Sequence, residues 1–170
     1  MTKHITTHKV SIIMGSKSDL SVMEKASDFL SDYGIPNEVH VASAHRNPAV
    51  VKELVSEFDR STSVIIAAAG MAAHLPGVVA AYTTTPVIGV PIKASFDGLD
   101  SLLSIVQMPP GIPVASVAID GGKNAAILAA EIIAICDEDL ENKLIKRREE
   151  AKLDVLEKNK RIEEIFNKGE

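Results

Sequence analysis

The strongest constraint in this chain is a repeated pattern: a short apolar run, a turn of small or polar residues, then a segment with helical spacing. The first run is Val10–Met14, broken at Gly15-Ser16-Lys17-Ser18-Asp19. Leu20, Met23, Ala26, Phe29 and Leu30 follow on one helical face, and Gly34 with Pro36 ends it. A second strand is expected over 38–42. A helix should follow over 48–58, with Asn47 as its cap and Pro48 in its first turn. The third strand is read at 63–69, stopped by Gly70. Its helix starts near Leu75-Pro76 and runs through Ala81. The fourth strand is read at 86–90, closed by Pro91. A long connection with Lys93, Asp97 and Gly98 leads to a short helix over 101–106. Residues 108–113 must be irregular, because three prolines and a glycine exclude helix and central strand. The fifth strand is read at 114–119, with Asn124 capping a helix to about Ile135. Strands alternating with helices predict βαβ units, a parallel sheet and helices on both of its faces.

Composition agrees with a sheet buried on two sides. Hydrophobic residues make up 46% of the 170 positions, Trp is absent and aromatics reach only 4%, so the core must be aliphatic. A net charge of -5 argues against a nucleic-acid surface. Cys136, the only cysteine, lies in an apolar run and reads as a small buried hydrophobe rather than a nucleophile. No run is long enough to span a bilayer, and residues 1–9 lack the apolar stretch of a signal peptide, so a soluble cytoplasmic protein is expected.

Residues 137–170 differ from what precedes them. They hold 20 charged residues in 34, against 21 in residues 1–136. Leu140, Leu144, Ala151 and Val155 fall near one helical stripe, and Leu153, Leu156, Ile162, Ile165 and Phe166 extend the apolar content. We therefore read a core domain over 1–136 and a C-terminal helical extension over 137–170, an arm for packing on a neighbouring subunit.

The turns after the strands carry the chemistry. In an open parallel sheet such turns line the ligand crevice. In the first turn, Gly15 permits close backbone approach, while free N–H groups and the hydroxyls of Ser16 and Ser18 favour an anion. Asp19 suits sugar hydroxyls, although Ser18 and Asp19 equally suit helix capping. It is neither a P-loop nor a dinucleotide fingerprint, since the required spacing is absent. The second turn, Ser43-Ala44-His45-Arg46, places a hydroxyl, an imidazole and a guanidinium between strand and helix. There Arg46 can grip an anion and His45 can move a proton. In the third turn, Gly70, Met71 and Ala72 let a ligand approach backbone N–H groups that can hold a carboxylate. His74 there is as readily a second polar group of the site as a satisfied structural histidine. No histidine, cysteine and carboxylate cluster has the spacing of a metal site, and no nucleophile elbow is present.

These motifs also carry a resemblance. Met14-Gly15-Ser16-Lys17-Ser18-Asp19, Ser43-Ala44-His45-Arg46 and the run from Ala69 to Gly77 are similar to the N5-carboxyaminoimidazole ribonucleotide mutase family of purine synthesis, class I form. So are the runs from Pro86 to Pro91 and from Gly98 to Pro109, and Asn124-Ala125-Ala126. The resemblance covers nearly all of residues 10–136. It implies a flavodoxin-like three-layer sandwich with a five-stranded parallel sheet, assembled as a homo-octamer with C-terminal segments reaching between subunits. It implies isomerisation of N5-carboxyaminoimidazole ribonucleotide to 4-carboxy-5-aminoimidazole ribonucleotide, with no cofactor and no metal. By the same resemblance Ser16, Asp19 and Arg46 bind the nucleotide, assisted by Ser18 and Ser43. His45 transfers the proton. Gly70, Met71 and Ala72 line a carboxylate and carbon dioxide pocket with His74 nearby. Two places depart from the family pattern: Met71 stands where many relatives have Gly, and the turn 120–123 is short.

The chemistry suits these residues. Decarboxylation of a carbamate followed by carboxylation at C4 needs one group that gives and takes a proton near neutral pH, and imidazole does this. Released carbon dioxide must be retained, and residues 108–113 are a candidate cover. A class II relative, which carboxylates free aminoimidazole ribonucleotide with dissolved carbon dioxide, is the nearest alternative. By resemblance, His74 in its Ala-Ala-His-Leu-Pro-Gly context and Arg46 after His45 favour class I. A non-catalytic nucleotide-binding module of the same fold is the remoter alternative. A receiver domain is disfavoured because Gly70 stands where its phosphoacceptor aspartate would be.

Overall fold

The structure, a computed structural model, describes residues 8–167, with only the backbone at 59–61. In chain order the elements are β1 (Val10–Met14), α1 (Leu20–Asp32), β2 (Asn37–Val41), α2 (Pro48–Ser61), β3 (Val64–Gly70) and α3 (Leu75–Ala80). Then follow β4 (Val87–Ile92), α4 (Leu99–Val106), β5 (Ala115–Ser116), α5 (Gly122–Ala134) and α6 (Glu138–Phe166). One short 3-10 turn, Lys17–Asp19, precedes α1, and another, Phe96–Gly98, precedes α4. The chain forms two compact units, one ending at Ile133 and one beginning at Ala134.

All five strands are parallel, in the order β2-β1-β3-β4-β5, with helices on both faces. This is the flavodoxin-like order expected from the sequence. Ile12 pairs with Val39 on one side and Ile66 on the other, and Ala67 pairs with Gly89. The strands β1 and β4 are buried along their whole length, whereas β2 is an edge strand with Val41 exposed. Ile12, Ile13, Ile65, Ile66 and Ile88 are fully buried, each contributing about 1.5–3 kcal/mol by leaving water. Ala125, Ala126, Ala129 and Ala130 of α5 are fully buried as well. An alanine face lets a helix lie close to its neighbours. One polar group in this core is fully satisfied: the Ser11 hydroxyl donates to Glu38 Oε1 (2.8 Å) and lies 2.6 Å from Thr62 Oγ1. Its single proton is thereby used, so Thr62 is the donor to Ser11.

Four local expectations change. The fourth strand does not close at Pro91 but continues to Ile92. The carbonyl of Pro91 accepts the Asp120 N–H (2.8 Å) on the β5 side, so the missing proline N–H faces that side and costs β3 no bond. The fifth strand is two residues long rather than six. Beyond it, Gly89 O is met by Val117 N–H and Pro91 O by Asp120 N–H. Three residues of one strand thus answer two of the other, and the ladder is interrupted as at a bulge. The helix α5 starts at Gly122, because the Gly121 carbonyl already accepts the Ala125 N–H (3.0 Å), so Asn124 lies inside the first turn and is not the cap. Cys136 falls past the end of α5 and is exposed, not buried. Asn47 does occupy the cap position of α2, but its side chain makes no capping bond, and Pro48 supplies the fixed φ of the first turn.

In the second unit, Asp137 caps α6 through the Leu140 N–H (3.0 Å). Leu140 and Leu144 are buried, whereas Leu153, Val155, Leu156, Ile162, Ile165 and Phe166 are exposed. Among the described residues no helix is long and apolar enough to cross a membrane.

Gly89 shows how tightly the helices press on the sheet. A Cβ there would lie 2.4 Å from Ile105 Cγ2, 3.1 Å from Val114 Cγ1 and 3.2 Å from Pro76 Cβ. These neighbours are β-branched or cyclic and have little rotamer freedom. Gly89→Ala is expected to lower unfolding free energy by about 1–3 kcal/mol in urea titration, the usual cost of overpacking.

Candidate active site

The strand order reverses at β1, since β2 lies on one side of it and β3 on the other. In this fold ligands bind outside the carboxyl ends of the strands at that reversal. A cavity of about 590 Å³ lies there, within the roughly 300–1,000 Å³ of small-molecule sites. Gly15, Ser16, Ser18 and Asp19 line it from the turn after β1, and Ser43, His45 and Arg46 from the turn after β2. Gly70, Met71 and Ala72 line it from the turn after β3. Ten of the eleven residues proposed from the sequence are thus gathered in one place, from stretches up to 57 positions apart. The reason is topological: parallel strands deliver every following turn to the same sheet edge.

The first turn is built by its own side chains. The Ser16 hydroxyl accepts the Ser18 N–H (3.3 Å), and Asp19 Oδ2 accepts the Ser16 N–H (3.1 Å), a reciprocal capping box. Asp19 Oδ1 accepts the Ser18 hydroxyl (2.9 Å), and the Asp19 side chain is buried. Burial pushes the Asp19 carboxyl above its ordinary value, against the pull of the bonds from Ser18 and Ser16. The capping reading of Ser18 and Asp19 is therefore realised, and the two side chains still face the cavity.

The second turn is organised by Ser43. Its hydroxyl accepts the Arg46 N–H (3.3 Å) and its carbonyl accepts the Asn47 N–H (2.9 Å). The side chains of His45 and Arg46 are exposed and, among the described residues, have no hydrogen-bond or ionic partner within the chain. An imidazole and a guanidinium held on a fixed turn, with no internal partner, are available to a ligand. In the third turn Met71 is exposed and left-handed (φ +52°). A non-glycine residue in that region costs of order 1 kcal/mol or more.

His74 stands apart. It is left-handed too (φ +56°), its Nδ1 is hydrogen-bonded to the Ser104 carbonyl, and it does not line the cavity. Its bond ties the start of α3 to α4. Residues 108–113 do not line the cavity either, so within this chain they are no cover for it. Ile92, Lys93 and Ala94 do line it and were not read as site residues. The signal was present: Ile92 ends the fourth strand, and Lys93 and Ala94 begin its turn, which obeys the same rule as the other three. Among the described residues no three His, Cys, Asp or Glu side chains gather as a metal site.

The Asp19 shift has a measurable sign. A carboxyl with a raised folded pKa holds its proton more tightly when folded, so stability falls as pH rises from the ordinary value of 3.8 through the raised one. Asp19→Asn keeps an acceptor for the Ser16 N–H and removes the titration. Urea unfolding at successive pH values is expected to show that decline in the wild type and its loss from the variant.

Comparison with known proteins agrees with this geometry. The sequence model of the AIR carboxylase family matches residues 9–154. The N5-carboxyaminoimidazole ribonucleotide mutase of Methanocaldococcus jannaschii is 56% identical over 157 residues, covering 92% of this chain and 99% of that protein. Its counterpart from Thermotoga maritima is 52% identical over 159 residues, covering 92% and 93%. The crystal structure of Treponema denticola PurE is similar with a TM-score of 0.81 at 31% identity, covering 89% of this chain and 96% of that one. With a match of this extent, a five-stranded sheet of the same kind and its motif residues gathered at one sheet edge, the chain belongs to the AIR carboxylase family.

Proposed function

We propose that this chain is an isomerase that converts N5-carboxyaminoimidazole ribonucleotide to 4-carboxy-5-aminoimidazole ribonucleotide. The observation that carries this is the juxtaposition of unpartnered His45 and Arg46 with the hydroxyl and small-residue turns at the sheet reversal. The identity to proteins of that name supports it. Arg46, with the hydroxyl of Ser43 and that of Ser18 once it turns from Asp19 Oδ1, takes the phosphate. Ser16 and Asp19 hold the ribose end. Gly70, Met71 and Ala72 offer a wall for the carboxylate and the carbon dioxide, with small side chains at 70 and 72.

The reaction balances with one imidazole. The N–C bond of the carbamate breaks as the nitrogen gains a proton, and carbon dioxide is released into the pocket. C4 then attacks the carbon dioxide, a C–C bond forms and the C4 proton leaves. His45 gives the first proton and receives the second, so no net proton is exchanged. His45→Asn is expected to keep nucleotide binding and lose at least 100-fold in turnover. Turnover within tenfold of the wild type would remove His45 from the proton path. The assay supplies the carboxyamino-nucleotide in one arm and aminoimidazole ribonucleotide with bicarbonate in the other. Activity confined to the second arm would make the chain a class II carboxylase.

The same proposal includes assembly as a homo-octamer in the cytoplasm. The exposed apolar residues of α6 support an assembled state. Deleting residues 137–170 is expected to lower the particle mass measured by light scattering. An unchanged mass would mean that assembly does not use this segment.

A further inference from the structure

Lys93 is the one cation that the fourth strand brings to the cavity, and nothing above uses it. Its backbone is clamped from three directions. The Lys93 N–H donates to Asp120 Oδ1 (2.9 Å). The buried Ser101 hydroxyl is shared between the Ile92 carbonyl next to it (3.0 Å) and the Gly98 carbonyl (2.8 Å). The Lys93 Cα lies against Gly98, where a Cβ would come within 3.3 Å of it and 2.7 Å of Ile119; Gly98 is left-handed (φ +89°), so glycine is required there twice over. The side chain is the opposite. It is 59% exposed, and its Nζ rests 3.0 Å from Asp97 Oδ1 on a side chain 88% exposed. An exposed pair of this kind is weak and easily exchanged. Asp97 nevertheless keeps the ammonium above its ordinary range, so the charge is present when a ligand arrives.

Position adds the rest. Arg46 follows β2 and Lys93 follows β4, three strand spacings apart in the order β2-β1-β3-β4, or about 14 Å at roughly 4.8 Å each. The cavity therefore carries a cation at either end, with the hydroxyl and glycine turns between them. A nucleotide with a carboxylated base is anionic at both ends: phosphate at one, carboxylate at the other.

We propose that Lys93 is the carboxylate-reading residue of this cavity, releasing Asp97 to bind the carboxylate on the base of a nucleotide whose phosphate Arg46 holds. This rests on the nucleotide reading above and deepens it. The two cations then have separate roles, since Arg46 binds any such nucleotide and Lys93 tells the carboxylated from the uncarboxylated one.

The test is calorimetric titration with 4-carboxy-5-aminoimidazole ribonucleotide and with aminoimidazole ribonucleotide, which differ by the carboxylate alone. Lys93→Met is expected to weaken the carboxylated ligand tenfold or more and the other less than threefold. Lys93→Arg, which keeps the charge, should bring the carboxylated ligand back to within threefold of the wild type. Arg46→Ala should weaken both. The melting temperature of Lys93→Met should match the wild type, because the side chain is exposed. Equal loss for both ligands, or loss for neither, overturns the assignment to Lys93 while the nucleotide reading stands. A wild-type chain that binds neither ligand overturns both.

Discussion

Everything at the cavity depends on β1 being paired in parallel on both sides. With β2 on one flank and β3 on the other, the turns after all three strands emerge at one sheet edge, and β4 adds a fourth. A single antiparallel strand among them would send its turn to the far edge and remove a wall of the site. The pairing is held by aliphatic residues with no polar alternative, Ile12 and Ile13 against Ile66 and Ala67, so register and burial enforce one another. Function here is a consequence of strand direction before it is a consequence of any one side chain.

The polar groups of the site divide into those that build and those that act. Ser16, Asp19 and Ser43 commit acceptors to neighbouring backbone N–H groups, which fixes the shape of two turns. His45, Arg46 and Met71 are left exposed on those fixed frames. The same division recurs at the fourth turn, where Asp120 and Ser101 hold the backbone around Lys93 and leave its ammonium in solvent. A preorganised backbone with uncommitted tips suits a reaction in which two bonds change on one small molecule, because little reorganisation is needed as charge moves. Asp19 shows that a residue can do both: its carboxylate closes the capping box and still faces the cavity, while burial makes its charge costly.

His74 marks the boundary of this arrangement. It lies in the same glycine- and alanine-rich turn as Gly70, Met71 and Ala72, yet its ring is engaged with the Ser104 carbonyl between α3 and α4. Its neighbours shape the cavity; His74 ties two helices together behind it. One turn thus serves both the ligand side and the helix side of the sheet. Two of its residues, Met71 and His74, take the left-handed conformation within four positions.

The alternation of apolar runs and helical spacing determined the parallel α/β fold, because a run buried on both faces and followed by a helix has few other solutions. Proline and glycine punctuation located most helices to within a residue or two. The residue types at the first three turns marked Gly15 to Asp19, Ser43 to Arg46 and Gly70 to Ala72, since hydroxyls, imidazole and guanidinium at strand ends have few purely structural uses together. Local signals failed where a long-range bond decided the outcome. Pro91 sits within β4 because its missing donor faces Asp120, 29 positions away. The fifth strand is short because its ladder to Gly89 and Pro91 takes an extra residue. Asn124 is no cap because Gly121 had already started the helix, and Cys136 is exposed because α5 ended before it. His74 is held off the cavity by the Ser104 carbonyl of α4, 30 positions away, a contact that no local signal gives. Sequence periodicity reports what each segment buries; which neighbour meets it is settled by packing between segments far apart in the chain.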